Sequence, residues 1–234
     1  EDSWQTGLAL VTDEVAARWI GAWTCRSEDG GESWERPVKA PLNAPHGPIR
    51  RRDGSLCYLG KDFRVDRTGF RSGKGCIEAA VSEDDGTSWE ELGAVPLYDG
   101  THESNYHEAH VAELPDGTLI GLIRFEIGER FAAVESDDLT RFSMFQTRSE
   151  DGGRTWTQAE PLGFHGCPPH LMVHSSGALV CTYGRRQEPY GQRVVVSSDG
   201  GNSWTYDYVL RDDGPDTDLG YPASVEMDDG SLFT

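Results

Sequence analysis

One eight-residue phrase occurs four times in 234 residues: SEDGGESW at 27–34, SEDDGTSW at 82–89, SEDGGRTW at 149–156 and SSDGGNSW at 197–204. All four fit Ser-x-Asp-x-Gly-x-Ser/Thr-Trp, at spacings of 55, 67 and 48 residues. A catalytic loop is needed once per active site, so a motif at such intervals marks a structural repeat and limits the fold to architectures that stack like units. Within each copy the Asp can accept hydrogen bonds from backbone N–H groups of a turn, the Gly can take φ > 0, and the Trp can pack between neighbouring sheets. A calcium loop of the EF-hand kind would need more carboxylates and a bidentate Glu at its end, so the phrase reads as structural.

The order of segments between the copies repeats as well. HGPIRRR, an Asp53-Gly54 turn, SLCYLGKDF and GCIEAAVS lead into the second copy, and WEELGAVPL runs on from it. HVAEL, Asp116-Gly117, TLIGLIRF and FSMFQTRS lead into the third, with WTQAEPL after it. HLMVH, Ser176-Gly177, ALVCTYG and QRVVVS lead into the fourth, with WTYDYVL after it. Short alternating segments rich in β-branched and aromatic residues, joined by Asp-Gly turns, read as antiparallel strands. Four such strands per unit of roughly 50–65 residues is the pattern of a β-propeller blade. The expected fold class is therefore all-β, a single propeller domain over 1–234. It comprises a blade tail over 1–40, blades at about 44–96, 105–162 and 165–211, and a blade start over 219–234. FAAVESDDL (131–139) reads as one short helical turn, and the chain reads as four to five blades of a longer protein.

Composition narrows the partners. Forty acidic residues against 21 basic give a formal charge of −19, which argues against DNA or RNA because phosphate binding needs a positive footprint. No run of 18 apolar residues exists, so no membrane span is expected. The five cysteines, Cys25, Cys57, Cys76, Cys167 and Cys181, match no metal-site spacing. Buried, reduced thiols are the default reading, with a Cys167–Cys181 bridge across one hairpin as the alternative, so the compartment stays open.

The octapeptides resemble the Asp-box repeats of the sialidase (neuraminidase) superfamily, whose members share a six-bladed β-propeller. Single-copy residues extend the resemblance. EAHVAELPDGTLIGLIR is similar to the sialidase segment in which a Glu opens a blade's first strand and an Arg closes the second, here Glu108 and Arg124. Two antiparallel strands joined at Asp116-Gly117 return those two residues to the same end of a hairpin whatever the family. Arg193, in GQRVVVSSDGGNSW, resembles a further family Arg one blade on; Arg185 and Arg186 compete for that role, and the distance to Tyr221 favours Arg193. Tyr221, in LGYPASVEMDDG, resembles the family's nucleophilic Tyr, with an Asp-Gly turn following at 229–230. The chain departs from the family in having Pro222 where many members have Ser, and His-Glu-Ala-His where Asn-Glu-Pro is common.

The resemblance implies an exo-glycosidase that releases a terminal sialic acid or related acidic sugar with retention. Tyr221 would be the nucleophile, Glu108 its base, and Arg124 and Arg193 clamps on the substrate carboxylate. A carboxylate nucleophile would be repelled by the carboxylate on the anomeric carbon, whereas a neutral Tyr is not, and Arg grips a carboxylate bidentately. Singly, a Glu at a strand start or an Arg at a strand end is ordinarily a solvated surface residue; their joint order along the chain is what points to function. No metal or organic cofactor is implied, and the partner is a glycan. The family's acid/base Asp and first Arg belong to a blade expected before residue 1, and family members suggest a secreted or periplasmic protein. His46, His107, His110 and His170 fall near first-strand starts, with His110 and His170 expected to bind substrate; HEAH lacks the helical spacing of a zinc motif. Two other readings stand beside this one: a non-catalytic carbohydrate-binding propeller, and a related glycosidase or lyase for another acidic glycan.

Overall fold

A computed structural model gives the fold over residues 7, 10–66, 69–136 and 138–234. A seven-residue helix, α1 (Asp13–Trp19), comes first, capped by the Thr12 hydroxyl, which accepts from the Val15 N–H at 3.3 Å, with Asp13 and Glu14 in its first turn. An oxygen cap followed by two acids is a local helix-start signal inside a region otherwise read as strand. β1 (Ala22–Thr24) and β2 (Val38–Ala40) then form a two-stranded ribbon across the first octapeptide.

Three four-stranded antiparallel sheets follow, each laid down in chain order. The first contains β3 (Ile49–Arg50), β4 (Leu56–Asp66), β5 (Gly69–Ser82) and β6 (Glu90–Ala94). The second contains β7 (Tyr106–Glu113), β8 (Leu119–Phe125), β9 (Ser143–Ser149) and β10 (Glu160–His165). The third contains β11 (His170–Val173), β12 (Leu179–Arg185), β13 (Gly191–Ser197) and β14 (Thr205–Arg211). A final hairpin pairs β15 (Val225–Glu226) with β16 (Leu232–Phe233).

The hairpin that opens each sheet is the same object four times. Leu114 N–H donates to Thr118 O at 2.8 Å and Gly117 N–H to Leu114 O at 2.9 Å, with Gly117 at φ +90. The equivalent pairs recur at Arg51–Ser55, His174–Ala178 and Met227–Ser231, with Gly54, Gly177 and Gly230 at positive φ. This is a three-residue loop whose last residue must be left-handed, which only Gly adopts without penalty.

Packing follows from period-2 alternation in β8. Leu119, Ile123 and Phe125 enter one core with Leu59, Ile77 and Ala79 of the first sheet. Ile120 and Leu122 point the other way, into a second core with Leu171, Leu179, Cys181 and Val195 of the third. A strand buried on both faces reads as the continuous apolar run LIGLIRF. Gly121 lies where the sheets come closest: a Cβ there would stand 2.6 Å from Leu59 Cδ2.

The octapeptide turns weld sheet to sheet. In the third copy Asp151 accepts from the Thr155 N–H at 2.8 Å and the Thr155 hydroxyl at 2.6 Å, and the Ser149 hydroxyl accepts from the Gly153 N–H at 2.8 Å. The same bonds recur at Asp29, Asp84 and Asp199. The second, third and fourth turns then reach the preceding sheet or ribbon: Gly153 O accepts from Gly93 N–H at 3.0 Å, Gly201 O from the Gln146 side chain at 2.9 Å, and Gly86 O from the Thr24 hydroxyl at 2.9 Å. Trp156 and Trp204 are buried in those seams, the latter donating to Gln146 Oε1 at 2.9 Å.

One expectation is corrected and one alternative falls away. FAAVESDDL carries no helix at its described positions. Its Ala132 backbone is held from both sides by Ser104 Oγ and Asn105 Nδ2, while Val134 and Leu139 reach down to the core, and these contacts hold the segment out of a helical turn. Cys167 and Cys181 are separate free thiols rather than a bridge; Cys181 is spent on the core between the second and third sheets. Among the described residues no helix is long and apolar enough to cross a membrane.

Candidate active site

The β7–β8 ladder contains one extra residue. His107 pairs with Arg124 and His110 with Leu122, so the stretch Glu108–Ala109 bulges out of register, and Glu108 sits at φ +38. Bulges of this kind re-aim a side chain. Here the bulge turns the Glu108 carboxylate back over β8, where Oε2 accepts a short hydrogen bond from Arg124 Nη1. The other oxygen, Oε1, accepts from the Tyr221 hydroxyl at 3.1 Å. Glu108 and Tyr221 stand at equivalent points of their repeats, each eight residues before the Asp of the following Asp-Gly turn. The matching positions ahead of the first- and third-sheet turns are Pro45 and Pro168.

Arg124 is held from its far side by Glu126, whose Oε2 lies 2.7 Å from Nη2, and Glu126 also receives Arg141 at 3.0 Å. The Phe142 ring lies among three guanidiniums, with centroid distances of 5.4 Å to Arg124, 4.6 Å to Arg141 and 5.7 Å to Arg186. Arg186 is fixed by the carbonyls of Thr217 at 2.6 Å and Cys167 at 3.2 Å, and stands 5.8 Å from the centre of the Tyr221 ring. A cavity of about 380 Å³ opens between Asn43–Pro45, Glu108, Arg124, Phe131 and Tyr221. Burial, and then the neighbouring Glu108 carboxylate, push the Tyr221 phenol above its ordinary value, so at neutral pH it is a neutral hydroxyl beside a base.

Of the sequence-predicted residues, Tyr221, Glu108 and Arg124 come together. Arg193 does not. It is 2% exposed on β13, and its guanidinium donates to the carbonyls of Gln192 and of Arg211 on the sheet's outer strand; the competitor Arg186 is the one that stands beside Tyr221. His110 lies two residues beyond Glu108 on β7 and His170 opens β11, and each is hydrogen-bonded to the inner segment of the next repeat. His110 Nδ1 accepts from the Leu171 N–H at 2.9 Å and His170 Nδ1 from the Ser224 N–H at 3.2 Å. Their rings stack 4.9 Å apart, and among the described residues no group of three or more His, Cys, Asp or Glu is placed to hold a metal ion. Glu126, Phe142 and the Asn43–Pro45 wall were not anticipated from sequence. The shared spacing of Glu108 and Tyr221 from their turns was the signal that could have sharpened the reading.

A family model described as BNR repeat-like domain matches residues 69–206, which include the second, third and fourth octapeptides. The chain belongs to the BNR repeat-like domain family. Solved structures share its fold. A protein of unknown function from Dyadobacter fermentans aligns with TM-score 0.67 and 25% identity over 86% of this chain and 55% of that one. The intramolecular trans-sialidase of Ruminococcus gnavus, solved with oseltamivir carboxylate, aligns with TM-score 0.55 and 18% identity over 90% and 44%. An α-L-arabinanase of Penicillium chrysogenum, solved with arabinobiose, aligns with TM-score 0.52 and 16% identity over 80% and 59%. This BNR repeat-like chain thus spans roughly half the length of each of these three structures. No curated protein matches it. Its all-β architecture of successive four-stranded antiparallel sheets is one that sialidases and an arabinanase share.

Proposed function

We propose that this protein is a sialidase-like exo-glycosidase that releases a terminal sialic acid or a related acidic sugar, built on a six-bladed propeller of which these 234 residues form four to five blades. The observation that carries the proposal is the hydrogen bond from the Tyr221 hydroxyl to Glu108 at 3.1 Å, with the other Glu108 oxygen held by Arg124. In the proposed reaction the Tyr221 oxygen attacks the anomeric carbon while its proton passes to Glu108 Oε1. The bond to the leaving-group oxygen breaks, and that oxygen takes a proton from an acid. Water then attacks the tyrosyl-linked carbon, and its proton returns to that acid's conjugate base, while Glu108 gives its proton back to the phenolate. Arg124 and Arg186 flank the Tyr221 site and are assigned as the carboxylate clamp, a task suited to planar guanidinium groups. The carboxylates lining the cavity among the described residues, Glu108 and Glu126, are both paired to Arg124. The proposal therefore assigns the acid to a residue outside this pair.

The test is release of fluorophore from an aryl α-sialoside by the full-length protein, with Tyr221→Phe and Glu108→Gln alongside. Turnover that falls by a factor of about 10² or more in each variant supports the roles assigned, this being the usual size of a proton-transfer contribution. A folded wild-type protein that releases no fluorophore removes the sialidase reading.

A further inference from the structure

Below Tyr221 the inner strands bring three imidazoles together. His110 and His170 each stand six residues before the middle residue of the following three-residue loop, two positions deeper than Glu108 and Tyr221. His46, just ahead of β3, stands edge-on to both, with ring centres 5.5 Å from His110 and 5.0 Å from His170. Its centre is 6.5 Å from that of Tyr221. On one side lies the cavity of the candidate active site, whose wall includes Pro45. On the other lies a second cavity of about 420 Å³ that runs down the inner strands and is lined by all three histidines. The trio lines this second cavity, and His46 meets the first through its chain neighbour Pro45 and through the Tyr221 ring.

Their chemistry is constrained. Because Nδ1 of His110 and of His170 each accept a backbone N–H, the proton of each neutral ring sits on Nε2, which becomes a donor. Burial holds His46 down to about 4 and His110 to about 3, each helped by the neighbouring His170, so both are uncharged at neutral pH. Nε2 of His46 is buried and has no hydrogen-bond partner in the protein, a state that ordinarily demands a bound water or ligand atom. A neutral imidazole can donate through one nitrogen and accept through the other. That duality matches a hydroxyl group, whereas a carboxylate would favour the arginines above and a cation would need converging lone pairs.

We infer that His46, packed against His110 and His170, hydrogen-bonds a hydroxyl group of the bound sugar and thereby helps select which sugar enters. This rests on the reading of the Tyr221–Glu108 cavity as a sugar site. His110 and His170 act as positioning residues, since their Nδ1 atoms are already committed to joining inner strands.

Isothermal titration of N-acetylneuraminic acid, glucuronic acid and L-arabinose into the full-length protein tests it, with His46→Ala and His46→Gln as variants. The expected result is binding of at least one sugar by the wild type, about tenfold weaker binding in His46→Ala, the worth of one neutral hydrogen bond, and recovery of most of it in His46→Gln. Unchanged affinity in a folded His46→Ala overturns the inference and leaves the proposed function standing. Binding of glucuronic acid or arabinose but not N-acetylneuraminic acid, still weakened by His46→Ala, upholds the inference and removes the sialic acid assignment. Binding of none removes both. Should His46→Ala fail to fold, long-range ¹H–¹⁵N spectra of the wild-type imidazoles decide: the His46 Nε2 resonance must move when sugar is added, and a fixed resonance overturns the assignment.

Discussion

Glu108 is held in a conformation that costs an L-residue about 1–2 kcal/mol, because at φ +38 its Cβ crowds the following carbonyl. Replacing it by Ala or by Gly deletes the same carboxylate, the same bond from Tyr221 and the same ion pair, while Arg124 keeps Glu126 at 2.7 Å. The two variants therefore differ by one methyl group at one backbone conformation. In an ordinary strand Ala is the more stable by about 0.5–1 kcal/mol, because Gly loses more chain entropy. Here the strain outweighs that term, so Glu108→Gly is expected to exceed Glu108→Ala by about 0.5–1 kcal/mol. Urea unfolding followed by the fluorescence of the seven tryptophans would resolve this as a midpoint difference of about 0.2–0.5 M at a slope of about 2–3 kcal/mol/M. On the proposed function both variants also lose sialoside turnover, since each removes the carboxylate that accepts from Tyr221. An Ala variant as stable as the Gly variant, or more so, refutes the account of the bulge.

Two further outcomes follow from the placement of charge. Arg186→Ala should weaken acidic-sugar binding with little change in unfolding midpoint, whereas Arg193→Ala should lower the midpoint and leave binding in the folded fraction intact; titration calorimetry and urea unfolding on the same samples separate the two. Acid should destabilise the protein in two stages. His46 and His110 titrate near 4 and 3 when folded against about 6.5 unfolded, so the unfolded chain binds more protons below pH 6.5 and stability falls from there toward the folded values. Asp151 and Asp199 are held at about 2 by hydrogen bonds from Thr155 and Ser203, so their contribution is present above about pH 4 and lost as pH falls toward 2. A urea midpoint that stays level from pH 7 to pH 4 would contradict the histidine assignment.

What could be read from sequence was whatever local chemistry decides. An octapeptide whose Asp, Ser and Gly satisfy one another within five residues needs no distant partner, so it announced both its turns and the repeat. The Asp-Gly loops did the same for each opening hairpin, and an antiparallel hairpin necessarily returns Arg124 to Glu108. The failures share the opposite property. Arg193 was favoured over Arg186 by distance along the chain, but which face a strand residue takes is set by register. Arg193 sits in a β13 whose residues alternate buried and half-buried, and its guanidinium is spent on the Arg211 carbonyl. Arg186 lies just past the end of β12, free of that alternation, and is drawn to Tyr221 by carbonyls of the 217–219 segment.

The bulge had no signal at all. EAHVAEL contains no Gly or Asn to mark a left-handed residue, and Glu108 adopts that conformation only because the surrounding pairs, His107 with Arg124 and His110 with Leu122, leave it nowhere else. A residue that pays such a penalty without a permissive side chain is held by its partners, and the partners are Arg124 and Tyr221. Tyr221 reaches Glu108 from beyond the whole third sheet because both stand at the same distance ahead of the turn of their opening hairpin, with Pro168 at the equivalent place between them. The repeat that builds the fold therefore also brings two equivalent positions, with one sheet between them, to the mouth of a single cavity. Their chemistry differs because only those two of the four equivalent positions carry a side chain that can exchange a proton.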